Sequence, residues 1–326
     1  MKYSPAVLFL APLLLINNVM AQQDFSLKYC LTNSSKAINS ECSPSKSDLN
    51  PINIHRIGKG NNNVVQSLAL NQTGRELYSL NVTGHPELGV INRYIDIDGK
   101  SDLIAIDAQN PTAEIGHQGL SILPSTDWLL SSAGSKIKNR GWYITAFKYN
   151  PNNAPKEVKI IKIFGNGYDK KAYTMPTVTP NRKYLIVRGK KHNTNIIRVY
   201  DLEHIDLPNQ KKLGNNYLYE WSIDDRLIKD GFYFQGITAD NHSIYMLSGL
   251  ANQTAKTFMS YSIDGKLLEY IDDVSIGKED SLRTGNINYW EPESLTYDSK
   301  RNSLLILFAM GDKGKRTARF YQLKLR

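Results

Sequence analysis

Residues 290–311 read WEPESLTYDSKRNSLLILFAMG. A polar pair opens a short alternating segment, a polar turn follows, and an apolar run ends it. The same order occurs four more times. It appears in QSLALNQTGRELYSL from Gln66, QGLSILPSTDWLLSS from Gln118, MPTVTPNRKYLIVR from Met175 and QGITADNHSIYMLS from Gln235. Each copy begins with a long side chain, continues with a small residue or Pro, and turns on Asn, Asp, Pro or Gly. Alternation bounded by such turns is the pattern of a β-hairpin. The starts lie about fifty to sixty residues apart, the period of propeller blades.

The rest of each unit supplies two more strands. Aromatic alternation marks the third at Gly89-VINRYIDID, Trp142-YITAFKY, Asn195-IIRVYDL, Thr257-FMSYSID and Thr317-ARFYQL. A fourth follows at Asp102-LIAID, Val158-KIIKIF, Asn216-YLYEWSI and Lys266-LLEYI. Asp98-Gly99 and Asp264-Gly265 are hairpin turn signals. Four strands per unit make a propeller blade. The fifth unit ends at Arg326 before a fourth strand, while Pro51-INIHRIG precedes the first unit as a spare strand. That strand is expected to complete the last blade, because an open ring would leave strand edges unpaired. The expected fold is therefore all-β: a five-bladed β-propeller over residues 50–326, closed by an N-terminal strand.

Ahead of it, Lys2, an apolar run too short to span a bilayer and Val19-Met20-Ala21 read as a signal peptide over residues 1–21. No later run is long and apolar enough to cross a membrane, so none is expected after cleavage. Residues 22–49 form a short arm carrying the only cysteines, Cys30 and Cys42. In an exported chain they are expected to pair, contributing about 3 kcal/mol. The formal net charge of +9, in an exported protein, favours partners with phosphate or carboxylate groups over nucleic acid. Five Asn-x-Ser/Thr triplets, starting at Asn33, Asn71, Asn81, Asn241 and Asn252, carry little weight in so Asn-rich a chain.

The openings Gln66-Ser67, His117-Gln118-Gly119-Leu120-Ser121, Gln235-Gly236 and Glu293-Ser294 give the chain a wider likeness. It resembles the propeller shared by phage receptor-binding proteins, teichoic-acid-biosynthesis protein C and helveticin-J-type bacteriocins. Met175-Pro176 departs from the pattern. The resemblance implies recognition of bacterial surface glycopolymers, or bactericidal action at a cell surface. It implies no catalytic set.

First strands line a propeller's channel, so Gln66, Gln118, Met175, Gln235 and Glu293 should converge on the axis. There the amides either tie neighbouring blades together, as buried amides must be satisfied, or form a polar binding site. Glu293 with amide oxygens could hold a hard cation such as Ca²⁺, although Met175 is a poor ligand for it; no other cofactor is expected. Glu291 and Glu293, with His117 as a base, would be the acid/base group if the protein were an enzyme. Trp290 is the leading aromatic for stacking on a sugar. Asp96-Ile-Asp98-Gly99 lacks the rest of a calcium loop. Met310 to Lys315 lacks phosphate-loop spacing, and there is no Gly-x-Ser-x-Gly elbow.

Two functions remain. One is a secreted binding protein for a cell-surface glycan or anionic polymer, acting alone or as part of a toxin. The other is a secreted hydrolase of a glycan or phosphodiester at the channel mouth. Composition and pattern do not specify an oligomeric state.

Overall fold

The computed structural model describes residues 51–325, apart from 59, 62, 229–232, 285–288 and 313–315. The signal segment, the 22–49 arm, the Cys30–Cys42 pair, and Lys313 and Lys315 lie outside the described residues.

The ring is built from five sheets. Blade 1 holds β2 (Val65–Leu70), β3 (Glu76–Thr83), β4 (Leu88–Ile95) and β6 (Asp107–Ala108). Blade 2 holds β7 (Ser121–Ile122), β8 (Trp128–Ser132), β9 (Tyr143–Lys148) and β10 (Lys156–Lys162). Blade 3 runs β11 (Met175–Val178), β12 (Tyr184–Lys191), β13 (Thr194–Asp201) and β14 (Tyr219–Ser222). Blade 4 runs β15 (Tyr233–Ala239), β16 (Ser243–Gly249), β17 (Lys256–Ser262) and β18 (Leu267–Val274). Blade 5 contains β19 (Trp290–Asp298), β20 (Ser303–Met310) and β21 (Thr317–Lys324). The inner strands neighbour one another in the order β2, β7, β11, β15, β19 and back to β2. Among the described residues a single α-helix appears, Lys278–Arg283, and no helix is long and apolar enough to cross a membrane.

The polar turns of the repeat have a physical task. Asp240 Oδ1 accepts from the backbone N–H groups of His242 and Ser243, both at 2.7 Å. Asp298 Oδ1 does the same for Lys300 and Arg301, and Asn71 Oδ1 for Arg75 and Glu76. A short side chain bonding the backbone two to five residues on fixes these three inner hairpins.

Closure is made by β1 (Ile52–His55), which pairs antiparallel with β21 in the register Ile52↔Phe320, Asn53↔Arg319, Ile54↔Ala318. The expected ring of N- and C-terminal strands is thus observed. One assignment changes. Asp102–Ile104, expected as the fourth strand of blade 1, is instead β5, lying parallel to β1 as a fifth strand of blade 5. The free edge of β1 captures it: Asn53 N–H donates to Ser101 O and Ala105 N–H to His55 O, each 2.9 Å. Asn53 Nδ2 also donates to Asp102 Oδ1 at 3.0 Å. Blade 1 is left with the two-residue β6 as its outer strand.

Apolar packing is organised by interface. The five buried clusters correspond one to one with the five contacts between neighbouring blades. The cluster between blades 5 and 1 joins Ile54 and Leu103 to Leu68, Leu77, Leu307 and Phe320. Ile54 thus serves both the sheet and the interface. Ile54→Ala should lower the unfolding free energy by about 2–4 kcal/mol, as buried large-to-small changes do. Urea unfolding would show this as a lower midpoint at unchanged slope. A loss within about 0.5 kcal/mol, typical of a surface position, would mean that the closing strand is not part of the cooperative unit.

Candidate functional site

Three of the five inner strands contain the same irregularity. Pairing of β2 with β3 skips Gln66, pairing of β15 with β16 skips Gln235, and pairing of β19 with β20 skips Glu293. Each is the extra residue of a β-bulge, a device that re-aims a side chain without ending the strand. Blade 3 lacks it: Met175 pairs directly with Arg188 and Pro176 with Val187. Met175 consequently sits in the apolar cluster between blades 3 and 4, not at the axis with the others.

The small residue after Gln66, Gln118, Gln235 and Glu293 lets the inner strands close on one another. Ser294 Oγ accepts from Leu68 N–H at 3.1 Å, and Ser67 Oγ accepts from Leu120 N–H at 2.9 Å. A Cβ on Gly236 would lie 2.6 Å from Leu295 N, and one on Gly119, where φ is +73°, 2.7 Å from Met175 Cα. These residues, more than the long side chains, join the blades. They separate two unlike ends of the axis. One end is lined by Leu68, Leu120, Val178, Ile237 and Leu295 around a residual cavity of about 60 Å³.

The other end opens into a polar cavity of about 460 Å³ that brings together Gln66, His117, Gln118, Gln235, Glu291 and Glu293. A chain of hydrogen bonds crosses it. Gln118 Nε2 donates to Gln235 Oε1 at 3.0 Å, and Gln235 Nε2 donates to Glu291 Oε1 at 3.2 Å. The Tyr289 hydroxyl donates to Glu291 Oε2. Glu293 is 1% exposed, and its Oε1 has no protein partner. Burial, then the charge and hydrogen bond of Glu291, raise the Glu293 pKa well above the usual carboxylate range. Its protonated form is therefore favoured, and in that form it is a donor as well as an acceptor.

The opposite wall is cationic. Arg188, from the second strand of the unbulged blade, lines the cavity with Lys190. Its guanidinium is held by uncharged oxygens: Nε donates to Asn195 Oδ1 at 2.9 Å and Nη1 to Tyr173 O at 2.8 Å. Burial pulls its pKa down to about 10. Arg316 also lines the cavity and stacks 3.5 Å from the Tyr289 ring centroid. Arg188, Lys190 and Arg316 thus line the same cavity as Glu291 and Glu293. His117 Nδ1 lies 3.3 Å from Glu87 Oε1, and Tyr173 OH donates to Glu87 Oε2 at 2.6 Å. The His117 contact comes first among the causes that hold the Glu87 carboxyl down at about 2. Sequence reasoning missed Arg188; the available signal was a charged residue ending the apolar run Tyr184-LIVR.

One expectation is corrected. Trp290 is fully buried, stacked on Phe308 with centroids 5.4 Å apart. Its other neighbour is the Lys256 ammonium, 4.4 Å from the ring centroid and bonded to the carbonyls of Leu250 and Asn252 at 2.6 and 2.7 Å. An aromatic so enclosed packs blades and cannot stack on a ligand. Where calcium was expected, Glu293 is joined by Glu291 and the amides of Gln66, Gln118 and Gln235; among the described residues no group of three or more His, Cys, Asp or Glu could hold a metal ion. Asp98 pairs with Lys300 and Arg301, and Asp96 with Arg75, so that turn ties blades together.

A five-bladed propeller with one recessed, polar mouth defines a ring-shaped platform. Residues 127–322 match the phage five-bladed β-propeller receptor-binding platform domain, and the chain belongs to that family. No curated protein matches the chain. Among solved structures, TolB from Acinetobacter baumannii is similar at 12% identity and a TM-score of 0.40, over 81% of this chain and 56% of that one. This chain thus spans little more than half of that protein. The Myceliophteria thermophila Cps50 (Swd1) β-propeller domain is similar at 13% identity and a TM-score of 0.37, over 79% of this chain and 83% of that one.

The raised pKa of Glu293 has a measurable signature. A free glutamate titrates near about 4.3, so above that pH the folded chain retains a proton that the unfolded chain has lost. Stability then falls as pH rises, until Glu293 ionises in the folded state. Glu293→Gln keeps the shape and removes the titration. Its stability should fall less steeply than the parent's between about pH 5 and pH 8, and equal or exceed it at the upper end. Matching slopes in denaturant unfolding would mean that Glu293 is ionised when folded. Trp290→Ala should cost about 3–5 kcal/mol as a core truncation; a loss typical of an exposed ring in the same assay would return it to the surface.

Proposed function

We propose that this protein is an exported binding module that recognises a cell-surface glycan or anionic surface polymer at the polar mouth of its propeller. The observation that carries this reading is the cavity itself. Amides, two carboxyls and three cations converge where the inner strands open, and the buried Glu293 in its lining has an oxygen without a protein partner. Carboxyl and amide groups suit sugar hydroxyls, while Arg188, Lys190 and Arg316 suit phosphate or carboxylate groups. Membership of a receptor-binding platform family supports the same role, and the net charge of +9 favours approach to an acidic surface.

The hydrolase reading is less well supported. A glycosidase acid/base pair needs its carboxyls about 5–9.5 Å apart, whereas Glu291 lies close enough to Glu293 to push its pKa up. Glu291 is also engaged by Tyr289 and Gln235.

Binding to whole bacterial cells and to an array of surface glycans, including phosphate-bearing polymers, tests the proposal. Gln118→Ala and Lys190→Ala should each weaken binding about tenfold or more, the loss expected for a charge-assisted hydrogen bond. Unchanged binding in both, or no binding by the parent chain, would overturn it. Death of the bound cells would extend the role to that of a toxin; their survival would confine it to recognition.

A further inference from the structure

The interface between blades 1 and 2 is the thinnest in the ring. Its cluster has eight buried apolar residues among those described, against twelve to sixteen at the other four interfaces. A groove of about 570 Å³ occupies the space. It shares Gln72, Ile122 and Pro124 with the apolar end of the axis, so it opens at the opposite end of the ring from the polar mouth.

Two tyrosines form its floor. Tyr78 of blade 1 and Tyr149 of blade 2 meet edge to face, with centroids 5.3 Å apart. Asp107, on the shortened outer strand of blade 1, fixes the arrangement. It accepts from the Tyr149 hydroxyl at 2.6 Å and from Arg93 Nη2 and Nε at 2.5 and 3.1 Å. The walls are polar turns, Asn71–Thr73 on one side and Ser125–Asp127 on the other. Ser125 Oγ donates to Gln72 Oε1 across them at 3.1 Å.

Charge separates this groove from the mouth. Arg93 is matched by Asp107 and by Glu76, 3.5 Å away. Lys148, beside Asp127 at 3.5 Å, is matched by Glu157 at 2.8 Å. The Asp127 side chain remains 70% exposed on the rim. Aromatic surface under carboxylate, amide and hydroxyl rims suits a ring with one apolar C–H face and several hydroxyl donors. With each cation matched by a carboxylate, nothing favours an acidic substituent.

We infer that the groove between blades 1 and 2 is a second saccharide site, selective for an uncharged pyranose and independent of the mouth. The volume fits one or two sugar rings. The probes are methyl β-glucopyranoside and N-acetylglucosamine, titrated into the full chain and followed by saturation-transfer NMR. Saturable binding at about millimolar strength is expected. Tyr149→Ala should weaken it at least tenfold by removing the floor. Thr73→Trp, a change at an exposed turn tip that leaves the floor intact, should do the same by filling the groove, and it decides the matter if Tyr149→Ala fails to fold. Lys190→Ala should leave it unchanged. No saturation transfer to either probe, or full binding in Thr73→Trp, would overturn the inference. Binding lost in Lys190→Ala but kept in Thr73→Trp would place the sugar in the mouth, overturning the second site and supporting the first.

Discussion

The pairing of Ile52–His55 with Thr317–Lys324 governs much of this molecule. A propeller has no central core; its apolar residues lie between blades, and each blade is stable only with a neighbour on both sides. Closing the ring converts five partial interfaces into five complete ones. The closing strand comes from the other end of the chain, so its outer edge would itself be unpaired. Asp102–Ile104 covers that edge. The segment is taken from blade 1, which keeps only Asp107–Ala108 outside β4. A single edge constraint thus sets the order of blade 5, the thinness of blade 1 and the groove beside it.

Along the axis the governing constraint is steric. Ser67, Gly119, Gly236 and Ser294 bring the inner strands into backbone contact. Side chains before that constriction face one end and those after it face the other. Bulges at Gln66, Gln235 and Glu293 direct long polar groups towards the first end. The strict alternation that follows sends Leu68, Ile237 and Leu295 to the second. One short opening motif therefore builds a polar mouth and an apolar plug at once.

The hairpin pattern and its period were legible because they are local: a polar side chain closing a turn has a fixed spacing. The spare strand before Gln66 was legible because one blade lacked a strand. The destination of Asp102–Ile104 was not, since a short apolar run pairs equally well with β4 or β1 until the ring is closed. Trp290 misled for a related reason. An aromatic beside an inner strand reads the same whether it faces the mouth or the neighbouring blade, and the Pro292–Ser294 register shift decides which. Gln118, Gln235 and Glu293 were recognised from the repeat. Arg188 was not, because it lies on a second strand and reaches the cavity where blade 3 has no bulge.

The pair at Glu291 and Glu293 shows how the mouth sets its own charge. Two ionised carboxylates in contact in a buried site repel strongly, so the more enclosed one is biased towards its protonated form. Glu291 stays engaged with Tyr289 and Gln235, while Glu293 presents an oxygen that meets no protein donor. A glutamine at 293 would preserve the shape, but it could not lose its charge-neutral state with pH. Glutamate there makes the mouth more cationic overall when protonated and less so when ionised. The bulge that aims Glu293 inward and the burial that neutralises it are thus one feature: the side chain can be directed at the axis only because it can be uncharged there.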